Sequence, residues 1–172
     1  MVSVRKLNKK DAQNLALIAN NKNISDNLRD VFPHPYTLKD AEWFIDFNNK
    51  ESLDHRWAIK YHGEFSGIIG LHVKDDVYAQ NLELGYWLGE QYWGKSIMTQ
   101  AIDLVLNIGF SEIGCHRIYA SVFSFNQASC RVLEKCGFKN EGISEEAIFK
   151  NGSFYDEIRF SMLRQSFFNK KS

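Results

Sequence analysis

Apolar and polar residues alternate at the start of the chain. Val2 and Val4 are each flanked by polar neighbours, which predicts a short first strand. The period then changes. Ala12, Leu15, Ala16 and Ala19 fall at helical spacing and predict a helix from Lys9 to Asn20. Asparagine-rich sequence and a Pro33-His34-Pro35 turn interrupt it. Thr37, with Asp40 three residues on, has the form of an N-cap for a helix carrying Ala41, Phe44 and Ile45. Trp57 to Tyr61 and Phe65 to Val73 flank His62-Gly63-Glu64 and predict a hairpin. Asn81 to Leu88 predicts another strand.

Gly94 is expected to open a helix with Ile97, Ala101, Leu104 and Ile108 on one face. His116 to Phe123 is rich in β-branched and aromatic residues and predicts a strand. Asn126 is expected to cap a helix that holds Ser129, Val132 and Leu133 and ends at Gly137. Phe138 to Phe149 and Phe154 to Leu163 predict a last hairpin, joined at Asn151-Gly152. Hairpins, then strand–helix–strand–helix, then a hairpin imply an α/β (α+β) fold, a mixed sheet with helices on its faces.

Composition narrows the function classes. The 172 residues suit one domain, 1–172, with no linker, repeat or low-complexity tract. Twenty-one basic residues balance 21 acidic ones, so no electrostatic footprint for nucleic acid or an anionic membrane is expected. Arg5-Lys6 and Lys9-Lys10 form only a small, interrupted basic patch. Cys115, Cys130 and Cys136 are an odd set without a Cys-x-x-Cys pair, so neither a disulfide framework nor a metal site is expected. Free thiols, no long apolar run at the N-terminus and no membrane-length apolar segment lead to the expectation of a soluble, cytoplasmic protein.

One stretch carries a phosphate-binding pattern. Gly89-Glu90-Gln91-Tyr92-Trp93-Gly94-Lys95-Ser96 matches G-x-x-x-x-G-K-[ST] between a strand and a helix, so a P-loop NTPase must be weighed. Three features oppose it. The loop interior holds bulky Tyr92 and Trp93, where a backbone wrapped around phosphate favours small residues. The strand after the helix ends in Phe123-Ser124, without an Asp for magnesium. The preceding strands form hairpins rather than a parallel sheet. The shared physics remains: a loop feeding a helix N-terminus aims free N–H groups at an anion.

Three blocks resemble the GNAT acetyltransferase superfamily, in its ribosomal-protein-alanine acetyltransferase-like (RimJ/RimL-type) branch. The first is Pro33-His34-Pro35-Tyr36-Thr37 with Asp40-Ala41 and Trp43-Phe44-Ile45. The second runs from Glu83-Leu84-Gly85-Tyr86-Trp87-Leu88 through Gln91, Gly94, Lys95 and Ser96 into the helix to Phe110. The third holds Asn126-Gln127-Ala128-Ser129, Leu133-Glu134-Lys135-Cys136-Gly137-Phe138, Glu141-Gly142 and Asn151-Gly152-Ser153-Phe154-Tyr155-Asp156.

The resemblance implies a single mixed, mostly antiparallel twisted sheet of about six or seven strands, with a central splayed parallel pair and about four flanking helices. It implies acetyl-CoA as cosubstrate, with no metal. Backbone N–H groups from Gln91 to Ile97 (Gln91, Tyr92, Trp93, Gly94, Lys95, Ser96, Ile97) would hold the pyrophosphate. Trp87 and Leu88 would lie beside pantetheine, and Asn126 would bond to it or cap its own helix. Ser96 stands where the family has glycine or alanine. A free N–H near Leu88 would polarise the thioester carbonyl, a contact typically worth a few kcal/mol.

The resemblance leaves the proton chemistry less determined. Glu83 is the first candidate for the base, against a reading as a solvated strand carboxylate. The family's motif tyrosine falls at Leu133. Ser129 matches a serine that can replace it, against a reading as a first-turn helix serine. Ile148 falls where some members have a catalytic glutamate, with Glu145 and Glu146 nearby. His72 and His116 are further candidate bases. No Cys–His–Asp pattern supports a covalent route, so direct transfer is expected. Phe32, His34, Tyr36 and Trp43 would line the acceptor mouth, and Asp156 would bind the amine or hold its loop. The expected partner is an amine, either a peptide N-terminus or a small molecule, on a monomer or homodimer. A CoA or acyl-CoA sensor without turnover is the competing reading, motivated by the missing tyrosine.

Overall fold

The computed structural model describes residues 1–50 and 53–171; Glu51, Ser52 and Ser172 of the expected 1–172 domain lie outside the described residues. Among the described residues seven strands form one sheet: β1 (Val2–Lys6), β2 (His55–Tyr61), β3 (Glu64–Val73), β4 (Asn81–Leu88), β5 (Arg117–Phe123), β6 (Lys139–Lys150) and β7 (Ser153–Leu163). Their spatial order is β1-β2-β3-β4-β5-β7-β6. Every neighbouring pair is antiparallel except β4–β5, which is parallel. This is the mixed, mostly antiparallel sheet that the motif blocks imply.

Among the described residues six α-helices accompany it, two more than the expected four or so: α1 (Ala12–Ala19), α2 (Lys22–Ser25), α3 (Leu38–Lys50), α4 (Ile97–Asn107), α5 (Gln127–Cys136) and α6 (Arg164–Lys171). Leu15 and Ala19 of α1 and Ala41 and Ile45 of α3 pack on one sheet face with Ala58, Phe65 and Ile68. Ile97, Ala101, Ile102 and Val105 of α4, Cys130 and Leu133 of α5 and Phe167 of α6 pack on the other. The alternation of β4 feeds both layers, since Leu82, Leu84 and Leu88 join the second cluster while Trp87 packs against the first.

Local chemistry moves several predicted boundaries. The helix expected over Lys9 to Asn20 is a 3₁₀ turn, Lys9–Asp11, followed by α1. Asn8 and Asp11 form a reciprocal capping box there, and the Asp11 carboxylate also takes two bonds from the Arg5 guanidinium at 2.6 and 2.8 Å. The asparagine-rich break hides α2, whose cap is the Asn21 side chain accepting from the Asn23 N–H. Thr37 and Asp40 cap α3 reciprocally as expected.

Helix α4 begins at Ile97 rather than Gly94. Gly94 and Ser96 have φ of +73° and +55°, a left-handed conformation that cannot continue a right-handed helix. The expected apolar face is also shifted. Met98 and Ile102 are buried, Leu104 is 39% exposed, and Ile108 starts a π turn, Ile108–Ile113. Asn151 and Gly152 have φ of +50° and +80°, the positive pair that a two-residue hairpin turn requires. The last hairpin carries a bulge between Ser144 and Ile148, where Glu146 has φ +47°.

Candidate active site

The parallel pairing of β4 and β5 covers only Asn81↔Arg117, Leu82↔Ile118 and Glu83↔Tyr119. Both strands continue, but β4 from Leu84 and β5 from Ala120 have no partner in each other. The sheet is split there. The Gly89 N–H donates to Ser66 O on the β3 side, so by alternation the Leu88 N–H and carbonyl face the split. The Leu88 carbonyl accepts from the Trp93 indole at 2.8 Å. A 3₁₀ turn, Glu90–Tyr92, and the left-handed Gly94 and Ser96 then lead into the N-terminus of α4. The Lys95 ammonium closes this turn by donating to Gln91 O at 2.9 Å.

A cleft of about 970 Å³ follows the split and opens on both sides of it. Trp87, Leu88, Tyr92, Trp93, Gly94, Lys95, Ser96 and Ile97 line it, with Asn126, Ser129, Glu83 and Phe32. Gln91, Tyr36, His34, Trp43 and Asp156 do not. Tyr36 is buried beneath Phe32, ring centroids 4.9 Å apart, and Phe32 meets Trp87 edge-on at 5.9 Å. Tyr36 therefore supports the mouth from below. Trp43 is 65% exposed and stacks on Phe47. Asp156 accepts the Glu146 N–H at 2.9 Å and so holds the bulge of β6.

The ionisable groups are arranged unevenly. Glu83 stands at the vertex of the split. Lys74 donates to it at 2.5 Å, Arg29 at 3.1 Å, and the Tyr119 hydroxyl lies at 3.4 Å. Burial pushes its carboxyl up, but Lys74 and Arg29 outweigh burial and hold it below the usual carboxylate range. On the α5 side, the Asn126 side chain accepts the Ser129 N–H, the helix-cap role. The Ser129 hydroxyl lies 2.7 Å from the Tyr86 hydroxyl, and burial pushes the Tyr86 phenol well above its ordinary range. His72 lines the cleft beside Asp54 and Arg56, whereas His116 is exposed and outside it.

The thiols are protonated. Burial pushes Cys115 and Cys136 up to about 11 and raises Cys130 as well. Cys115 and Cys130 are buried, as expected, while Cys136 is half-buried.

A split parallel pair beside an anion-ready helix start can accept an extended ligand that ends in phosphate. Residues 2–139 match the model of the acetyltransferase (GNAT) domain. The chain belongs to the GNAT acetyltransferase family. The acetyltransferase is 26% identical over 184 residues to the Bacillus subtilis protein named "Putative ribosomal N-acetyltransferase YdaF", covering 99% of this chain and 95% of that one. It is 23% identical to spermidine N(1)-acetyltransferase of Escherichia coli, covering 96% and 88%. A solved structure of RimL, the ribosomal L7/L12 α-N-protein acetyltransferase, in complex with coenzyme A superposes with a TM-score of 0.85 at 18% identity, covering 96% and 95%. Acetyl-CoA-dependent N-acetylation is thus this enzyme's activity class.

Two contacts of this acetyltransferase's cleft and one clasp outside it join residues far apart in the chain. Tyr86, on the face of β4 opposite Glu83 and Trp87, reaches Ser129 from 43 residues away. Lys74 and Arg29 reach Glu83 from 9 and 54 residues away. Lys150, nearly buried, donates to Ser25 O, Leu28 O and the Asp30 carboxylate at 3.1, 2.8 and 2.6 Å. It fastens the β6–β7 hairpin to the segment after α2, and no local pattern announces that contact.

Proposed function

We propose that the enzyme moves the acetyl group of acetyl-CoA directly to a primary amine, either a protein N-terminus or a small-molecule amine. The observation that carries this reading is the early end of the β4–β5 ladder at Glu83↔Tyr119, next to a loop that enters α4 through left-handed Gly94 and Ser96. The residues fit the cosubstrate. Leu84 to Leu88 offer unpaired strand edge for pantetheine amides, and the backbone from Gly94 to Ile97 offers N–H groups for pyrophosphate. The expected donors at Tyr92 and Trp93 are instead spent within the 3₁₀ turn, on Gly89 O and Glu90 O at 2.9 and 3.1 Å. When bound, acetyl-CoA supplies an activated thioester.

The chain's own groups then have distinct tasks. The Leu88 N–H faces the split and can hydrogen-bond a developing oxyanion. Ser129, in contact with the Tyr86 phenol, can return a proton to the departing sulfur. Protonated thiols at Cys115, Cys130 and Cys136 support direct transfer over an acyl-cysteine route. Glu83 contributes negative charge at the vertex, although two cations reduce its appetite for a proton. Trp87 and Phe32 would wall the acceptor. Relatives named for spermidine and for ribosomal protein leave both acceptor classes open.

Thiol release from acetyl-CoA, followed with peptides bearing free N-termini, polyamines and amino sugars, tests the proposal. Turnover on at least one amine is expected. Binding of acetyl-CoA with no turnover on any of them would favour a sensor instead.

A further inference from the structure

His72 lies on β3, opposite Glu83 in the β3–β4 register. Its Nδ1 is 2.9 Å from Asp54 Oδ2. The same oxygen accepts from the Arg56 guanidinium at 2.6 Å, and Asp54 Oδ1 accepts the Val73 N–H at 2.8 Å. Burial raises the Asp54 carboxyl, but the bonds from His72 and Val73 and the nearby positive charges outweigh burial and keep it ionised.

An ionised carboxylate only accepts, so Nδ1 must be the donor in the His72–Asp54 bond. Arg56 also lies 3.3 Å from Nδ1, but a protonated Nδ1 has no lone pair for it, and Arg56 is turned to Asp54 at the shorter distance. The tautomer is thereby fixed, and the Nε2 lone pair is left over. Nε2 hydrogen-bonds to no described residue. It lies directly over Gly85, where an added Cβ would come within 2.9 Å of it. Gly85 is in the part of β4 that β5 has left, and His72, Asp54 and Gly85 all line the cleft.

The imidazole is therefore oriented by a carboxylate at one nitrogen and open to the cleft at the other. That is the arrangement of a base held by a carboxylate. Glu83, by contrast, is neutralised by Lys74 and Arg29. The charged groups facing His72 are Asp54 and Arg56 from the β2 side, Lys74 from the end of β3, and Glu83 from β4.

We propose that His72 is the general base of the reaction and that Asp54 positions it. This rests on the acetyl-transfer reading above. Nε2 takes one proton from the acceptor ammonium and releases it to solvent. The freed nitrogen lone pair attacks the thioester carbonyl carbon. The C–N bond forms, the C–S bond breaks, and its electron pair leaves with sulfur. The second proton of the nitrogen ends on that sulfur, giving the amide and the free thiol of CoA.

The test compares wild type with His72→Asn and Asp54→Asn. In His72→Asn the side-chain amide can still donate to Asp54 while Nε2 is gone. Acetyl-CoA binding is measured by calorimetry, folding by thermal unfolding, and kcat/KM for a turned-over amine from about pH 6 to about pH 9. His72→Asn is expected to lose about 10²-fold or more in kcat/KM and to lose the ascending pH limb, with acetyl-CoA affinity retained. Asp54→Asn is expected to lower kcat/KM less than His72→Asn does and to keep that limb, because it loosens the imidazole without removing Nε2.

Undiminished turnover in His72→Asn with intact cosubstrate binding overturns the assignment alone. A pH limb that His72→Asn leaves in place overturns it too, even where the rate falls. Wild-type protein that binds no acetyl-CoA overturns the transferase reading and this assignment with it.

Discussion

The hydroxyls of Tyr86 and Ser129 meet at 2.7 Å across 43 residues of sequence, joining β4 to the first turn of α5 at the edge of the split sheet. The Tyr86 phenol is held protonated by burial, so this pair stays a proton-bearing hydroxyl relay well into alkaline solution. Ser129→Ala is expected to lower kcat about 10²-fold, with acetyl-CoA affinity little changed. Tyr86→Phe should give a smaller loss of kcat, together with about 1 kcal/mol of stability from the missing hydrogen bond. Steady-state kinetics and denaturant unfolding of both variants check this.

Glu83 links stability to pH in a defined direction. Its folded pKa lies below its unfolded value. The ion pairs therefore add stability that is fully present above the unfolded carboxylate range, near pH ~4.3, and is lost as pH falls through the folded value. Glu83→Gln should flatten this part of the acid unfolding curve. At neutral pH it should cost about 1–3 kcal/mol, because Lys74 loses its partner while only 29% exposed. Arg29, 73% exposed, recovers its hydration in water and adds little. Chemical unfolding of both proteins across the acid range measures the difference.

Ser96 carries a backbone that favours glycine. Its φ of +55° stands where side chains with a Cβ are disfavoured by roughly 1–2 kcal/mol. Ser96→Gly relieves that strain and gives back about 0.5–1 kcal/mol through the greater freedom of the unfolded chain. A net gain of about 0.5 kcal/mol is expected, or roughly 1–2 °C in Tm. Acetyl-CoA affinity should be kept, since the backbone N–H is retained. Thermal unfolding with and without acetyl-CoA reads both outcomes.

Lys150 is a clasp between distant parts of the chain. Lys150→Met fills the same space but takes the ammonium donor from Leu28 O, while Ser25 O keeps the Leu28 N–H, at a cost of about 1–3 kcal/mol. The Asp30 side chain, 79% exposed, returns to water. The segment after α2 also carries Arg29 and Phe32, which line the cleft. KM for the amine should therefore rise more than KM for acetyl-CoA. Kinetics with each substrate varied in turn checks this.

Much of the fold is legible in the sequence because its signals are local. Asn151-Gly152 is a hairpin turn by backbone preference alone, and its two positive φ angles follow. Thr37-x-x-Asp40 is a cap because both partners lie within one turn. The start of α4 lies at Ile97 and not at the expected Gly94, because the left-handed bend at Ser96 is imposed by the loop and not by serine. Helix α2 leaves no periodic signal, because a four-residue helix has too few positions to show one.

The sequence by itself determined the order of the strands and of the longer helices between them, the loop from Gly89 to Ser96 that enters α4, and the strand Glu83 to Leu88 that borders the cleft. These depend on neighbours a few residues apart, where periodicity and backbone preference are written. Only the tertiary structure decided which side chains face one another across the split: Lys74 and Arg29 on Glu83, Asp54 on His72, Tyr86 on Ser129. It also decided that Tyr36 and Asp156 support the site from outside the cleft. Those relationships span up to 54 residues and depend on strand register and burial, which set a side chain's charge and partner and leave no mark on the residues next to it in the chain.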